Sequence, residues 1–206
     1  MGSAAVLVQG STSPDGRRAR RGRRRGAPVL TALAVAAGAV VSPSVVGPAA
    51  AAQAATCRAV WGSTPEGAPG LADGEVTGVR SGRHACFDRV VVDVAGPVGG
   101  HHVRYVDAVT QDGSGARVPL RGGARLLLVV GAPAHDDDFR PTYAPADARE
   151  LVDVRGASTL RQVALAGSFE GQTTVGVGVR ARLPFRSFVL TDGTTSRLVL
   201  DVAHRW

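Results

Sequence analysis

The chain predicts an all-β fold, a β-sandwich of short, mostly antiparallel strands preceded by a signal peptide. Three observations carry that expectation. Apolar runs of five to eight residues recur at short spacing, each bounded by glycine, proline or Asp-Gly turn signals. Their hydrophobic residues alternate with the period of a strand, and few stretches show the 3.6-residue period of a helix. One phrase also occurs twice, Asp88-Arg89-Val90-Val91-Val92-Asp93-Val94-Ala95 being echoed by Ser196-Arg197-Leu198-Val199-Leu200-Asp201-Val202-Ala203. The repeat suggests valine strands in equivalent places in the two halves of a sandwich, a chance match of common strand composition being the alternative.

The chain opens with a leader. Arginines ending at Arg25 are followed by an apolar stretch from Val29 to Val41, then Pro43, Pro48 and the small-residue run Ala52-Gln53-Ala54-Ala55. These are the basic region, apolar region and cleavage site of a secretory signal peptide over residues 1–55. The apolar stretch is shorter than the roughly 20 residues a membrane span needs, so no stable span is expected after cleavage, an uncleaved anchor being the alternative. Gly26-Ala27-Pro28 after Arg24-Arg25 fits twin-arginine export poorly, which favours the general secretory route, and Thr56 before Cys57 disfavours lipid attachment. Seven of the 24 basic residues and one of the 17 acids lie in the leader, leaving 17 basic and 16 acidic residues for the rest. So balanced a body gives no support for nucleic-acid binding, which needs a basic face against the phosphates. Export also sets the expected chemistry of the two cysteines: an even count in an oxidising compartment favours a Cys57–Cys86 disulfide. The alternative is a reactive Cys86 thiol with His84 as its base.

The run from Trp61 to Gly74 is rich in glycine and proline and reads as a loop, part of a flexible arm over residues 56–75, before the sandwich domain over 76–206. Val76 to Arg80 and Phe87 to Val94 follow as strands. In the second, Val90, Val92 and Val94 share the core face with Cys86 and Asp88, while Arg89 and Asp93 face away. A carboxylate on the core side needs a partner, because burying it unpaired is costly. Val103 to Val109 alternates as a further strand, Arg125 to Val130 reads as a central one, and the proline-rich segment from Gly131 to Glu150 as a long surface loop. Leu160 to Ala166 resumes the strand pattern. Thr173 to Arg182 places Val175, Val177, Val179 and Ala181 on one face and Gly176, Gly178, Arg180 and Arg182 on the other. Phe185 to Leu190 and Arg197 to Val202 make a hairpin across Asp192-Gly193.

Trp61-Gly62-Ser63, the run from Ser81 to Arg89, the run from Ala166 to Thr173 and the closing Arg197-Leu198-Val199-Leu200-Asp201-Val202 together resemble the AMIN-like domain. That family comprises secreted and lipid-anchored actinobacterial proteins related to the AMIN domain, a β-sandwich that directs peptidoglycan amidases and secretion pores to the cell wall. The resemblance implies a non-catalytic, secreted module, extracellular or wall-associated, with a cell-wall polymer or an envelope protein as partner.

No residue set reads clearly as catalytic. Glu170 between glycines lacks a visible second carboxylate, and neither G-x-S-x-G nor H-E-x-x-H occurs, so no enzyme activity and no cofactor are expected. No metal is expected either: His101 and His102 would point to opposite faces of a strand, and Asp136 to Asp138 lack the alternation of a calcium loop. The binding candidate is the polar face of the 173–182 strand. There Arg180 and Arg182 flank glycines that leave the backbone open, a strip suited to carboxylates or phosphates, with Arg83 and His84 as further contacts. Peptidoglycan stem peptides and teichoic acids carry such anions. The alternatives are a module that adds a strand to a partner's sheet and a peptidoglycan hydrolase.

Overall fold

Valine strands with one apolar face each must bury that face against a second layer, and in the computed structural model they do so as two facing antiparallel sheets. The structure describes residues 57–70 and 73–206; the leader lies outside them. Its strands are β1 (Glu66–Ala68), β2 (Glu75–Arg83), β3 (Phe87–Ala95), β4 (His101–Tyr105), β5 (Val109–Thr110), β6 (Arg117–Val118), β7 (Ala124–Val130), β8 (Leu160–Phe169), β9 (Gln172–Val179), β10 (Phe185–Asp192) and β11 (Thr195–Ala203). A five-stranded sheet runs β1-β4-β7-β9-β8, a four-stranded sheet runs β10-β11-β3-β2, and β5 with β6 forms a separate ribbon. The described residues contain no helix long and apolar enough to cross a membrane.

The core fills the space between the sheets. Val90, Val92, Leu198, Leu200 and Val202 face it from the four-stranded sheet, and Leu126, Leu128, Val163, Val175 and Val177 from the other, all fully buried. Each such side chain contributes about 1.5–3 kcal/mol through burial. Asp88 lies among them with no exposed surface and finds the partners its position demands. It accepts from the Thr159 backbone N–H at 2.5 Å, from Thr159 Oγ1 at 2.7 Å and from the Leu160 N–H at 3.2 Å, and His204 Nε2 lies 3.2 Å away. The carboxylate thereby ties β3 in one sheet to the start of β8 in the other.

Four details depart from the sequence-based expectations. The twin phrases do not sit in opposite halves of the sandwich: β3 and β11 are adjacent in one sheet and antiparallel. Their register sets Arg89 opposite Asp201 and Arg197 opposite Asp93, so each arginine of one copy faces the aspartate of the other. The strand expected from Val103 to Val109 stops at Tyr105, where the phenol donates to the Leu183 carbonyl at 2.8 Å, and Val109 opens a separate short strand. The glycine-rich arm contributes an edge strand, β1, because Gly67 allows its backbone to lie against β4 where a Cβ would come within 2.3 Å of the His101 oxygen. The strand from Thr173 ends at Val179 rather than Arg182, and its glycine face is covered.

That cover is the β5–β6 ribbon with the chain after it. A Cβ on Gly176 would lie 2.9 Å from Leu120 Cδ1, and one on Gly178 only 2.0 Å from the Arg121 oxygen. The glycines serve close approach of another backbone, and Val109, Leu120, Ala164 and Ala166 build a small second core there. The loop after β7 does run over the surface, and it guards an edge: Val76 N–H donates to the Pro133 oxygen at 2.7 Å and Thr142 Oγ1 to the Val76 oxygen at 2.8 Å, both on β2. Cys57 and Cys86 form a disulfide with their Cα atoms 5.1 Å apart, closing a loop of sequence separation 29. On the chain-entropy model such a loop adds about 3–4 kcal/mol of stability.

Candidate functional site

The outward positions of the four-stranded sheet carry a cluster of charged and aromatic side chains. Alternation along β3, β11 and β10 sends Arg89, Asp201 and Arg186 to the side away from the core, and the strand registers place them in one row: Arg89 opposite Asp201, and Asp201 opposite Arg186. Asp201 has no exposed surface. Arg89 donates to it through Nε at 2.6 Å and Nη2 at 2.9 Å, and Arg186 through Nε at 2.9 Å. The Arg89 and Arg186 side chains remain 25% and 41% exposed, so two partly open guanidiniums share one buried counter-ion and the cluster keeps a net positive charge. The hydrogen bonds to Asp201 raise the Arg89 pKa further against the opposing effect of burial. Among the described residues neither Nη1 atom has a protein hydrogen-bond partner, which leaves donors for an anion.

Aromatic rings frame the two arginines. The Arg186 guanidinium lies 4.3 Å from the Trp61 ring centre and 5.3 Å from that of Phe188, and Arg89 lies 5.3 Å from Phe87 and 5.7 Å from Phe188. Trp61 meets Phe87 edge-on at 5.7 Å. Such contacts hold each guanidinium flat and fixed without neutralising it. A second ion pair, Arg80 with Asp93 at 2.8 Å, continues the face along β2 and β3.

The four residues expected at the site fall at one end of the sandwich but not on one strip. His84 stacks on Phe87 with ring centres 4.3 Å apart and so borders the arginine–aromatic face. Arg182 borders it from the other side: it donates through Nη2 to the Ser63 oxygen at 2.9 Å and stacks over Tyr105, holding the arm that carries Trp61. Arg83 reaches the Gly156 oxygen at 3.3 Å, and Arg180 donates to the His204 carbonyl. Both are exposed, and both are engaged with backbone. Arg89, Arg186, Asp201, Trp61, Phe87 and Phe188 were not singled out as a site by sequence reasoning. The signal was present in the outward position of Arg89 and in the repeated Arg-to-Asp phrase, but only the antiparallel register turns these into one row.

The larger clefts lie elsewhere. One of about 640 Å³ is lined by Arg121, Glu150 and residues 152–157 with Leu160 and Arg161. Another, of about 440 Å³, gathers Asp73, Glu75, Asp136, Asp137 and Glu170 with His135 and Phe139. No three His, Cys, Asp or Glu side chains of the described residues are grouped so as to hold a metal ion.

The AMIN-like domain model matches residues 74–204, well over half of the chain. The chain belongs to the AMIN-like family. No curated protein and no solved structure matches it. The AMIN-like domain suggests an envelope-associated role, and the matched span runs from β2 through β11. Trp61 and β1 precede it. The arginine row is thus part of the AMIN-like domain itself, whereas the tryptophan that packs on it is delivered by the arm that the disulfide fastens to Cys86.

Proposed function

We propose that the outer face of the four-stranded sheet binds an anionic polymer of the cell envelope, peptidoglycan or another wall polymer, and does so without catalysing a reaction. The observation that carries this reading is the pair of partly exposed guanidiniums, Arg89 and Arg186, anchored on the buried Asp201 and framed by Trp61, Phe87 and Phe188. The anchoring fixes both forks in advance, so little side-chain freedom remains to be lost when an anion arrives. A flat face suits a polymer, because small molecules are usually taken into concave pockets. His84 and Arg182 flank the contact; it needs no cofactor. The protein acts outside the membrane, consistent with its disulfide.

A second reading, hydrolysis of the same polymer, is favoured by one observation: Glu170 shares the 440 Å³ cleft with Asp136 and Asp137, a pairing not apparent in the sequence. Against it, Asp73, Asp137 and Glu170 stand exposed, whereas a general acid working near neutral pH is normally desolvated.

Co-sedimentation with purified cell wall tests the proposal. Arg186→Lys keeps the charge beside Asp201 but loses the planar fork, and Trp61→Ala removes the aromatic platform; each is expected to weaken pelleting about tenfold, or about 1.4 kcal/mol. Binding is also expected to weaken as salt is raised. Unchanged pelleting by both variants, with unchanged thermal melts, would reject the face. Clearing of a peptidoglycan gel by the unaltered protein would replace the binding reading with the hydrolytic one.

A further inference from the structure

The sandwich guards its sheet edges unevenly. The edge of β2 is covered by the loop after β7, through the Pro133 and Thr142 contacts already described. The edge of β8 is covered by the chain just before it: Leu151 N–H donates to the Val163 oxygen at 2.9 Å and Leu165 N–H to the Ala148 oxygen at 2.7 Å. The first half of β10 is covered by the N-terminal arm, with Phe185 N–H donating to the Gly62 oxygen at 2.8 Å and Ser187 N–H to Glu66 Oε2 at 2.5 Å. Among the described residues the second half has no such cover. Phe185 and Ser187 point their amides away from β11, and strand alternation carries Val189 and Thr191 to the same side. Among the described residues neither of those two amides has a hydrogen-bond partner. Between them Leu190 is 45% exposed. An open edge is ordinarily blunted by proline, lysine or a bulge, and the stretch Phe188-Val189-Leu190-Thr191 has none of these.

We propose that two copies of this chain pair through the open half of β10, edge to edge and antiparallel, joining their four-stranded sheets into one. The length of the opening and its symmetry select this occupant. It spans only Phe188–Asp192, closed at one end by the Glu66 carboxylate and at the other by the turn at Gly193, which confines pairing to a short run centred on Leu190. A two-fold axis through Leu190 sets Val189 of one copy opposite Thr191 of the other, so the free amide and carbonyl of each find partners in the other copy without displacing Glu66. Leu190 then faces Leu190 as a non-hydrogen-bonded pair, the arrangement that brings side chains closest. The axis stands normal to the sheet, so both Arg89–Arg186 faces look the same way. The doubled grip on a repeating polymer that follows rests on the proposed function; the pairing itself does not.

Leu190→Cys tests the register. Cα atoms of a non-hydrogen-bonded antiparallel pair lie about 4.5 Å apart, within the range of about 4.4–6.8 Å that a disulfide accepts. Under mild oxidation the variant is expected to convert mostly to a cross-linked dimer on a non-reducing gel, with intact mass showing the Cys57–Cys86 bridge retained. Ala95→Cys, at the exposed end of β3, is expected to stay monomeric. Sedimentation equilibrium of the unaltered chain is expected to show self-association with a Kd of about 10–100 µM, as suits a small interface, abolished by Thr191→Pro. A chain that stays monomeric at about 1 mM, about ten times the upper Kd expected, overturns the pairing. Cross-linking of Leu190→Cys no faster than of Ala95→Cys overturns it too.

Discussion

Asp88 shows how a single buried charge can organise a two-layer fold. Burial alone would push its carboxyl up, but hydrogen bonds from Thr159, His204 and Leu160 outweigh burial and hold it below the usual carboxylate range. A carboxyl with a depressed folded value stabilises the fold fully above its unfolded value, near pH 4, and loses that contribution as pH falls through the folded value. Asp88→Asn is therefore expected to lower stability by about 3 kcal/mol at pH 7, with the gap to the unaltered protein narrowing below about pH 4. Urea unfolding at both pH values checks this; an equal gap at pH 3 and pH 7 contradicts it. The need for a partner at Asp88 was legible, since alternation from Val90 places it on the core face. The partner was not, because Thr159 is 71 positions away and only the meeting of the two sheets brings it there. The same limit hid Arg89 and Asp201, which are 112 positions apart.

At the level of strands, the sequence was most informative where one strand decides its own pattern. Phe87 to Val94, Arg125 to Val130 and the hairpin across Asp192-Gly193 were all legible, because alternation and turn residues are local properties. Where a second segment decides, the reading failed. The glycines of β9 looked like open backbone, since nothing nearby in sequence shows that Leu120 and Arg121 lie against them. Gly178→Ala is accordingly expected to destabilise the protein by about 1–3 kcal/mol through overpacking. Gly82→Ala is the contrast: its nearest neighbour would be His84 Nε2 at 3.7 Å, an ordinary contact, and the expected change is within about 0.5 kcal/mol. Equal denaturation midpoints for the two variants would show that the Leu120–Arg121 segment does not press on β9. The twin Arg-to-Asp phrases failed in a different way. They share a pattern, but two similar phrases carry no information on whether they lie in opposite sheets or side by side; antiparallel adjacency is the arrangement that lets each arginine face the other phrase's aspartate.

For the molecule as a whole, the charge balance directs attention to local geometry. After residue 55 the chain carries 17 basic and 16 acidic residues, so attraction for an anionic polymer must come from an arrangement rather than from net charge. The four-stranded sheet supplies one: the inner face builds the core while the outer face holds guanidiniums and rings in fixed positions. The disulfide completes it by fastening the arm that delivers Trp61. The most direct measurement is a two-dimensional NMR titration with soluble anionic fragments of the cell wall, following backbone amides, arginine Nε–H groups and the two indole N–H signals. Shifts concentrated on Arg89, Arg186, Phe188 and Trp61 are the expected result; shifts confined to the cleft around Glu170, or no shifts at all, would contradict it.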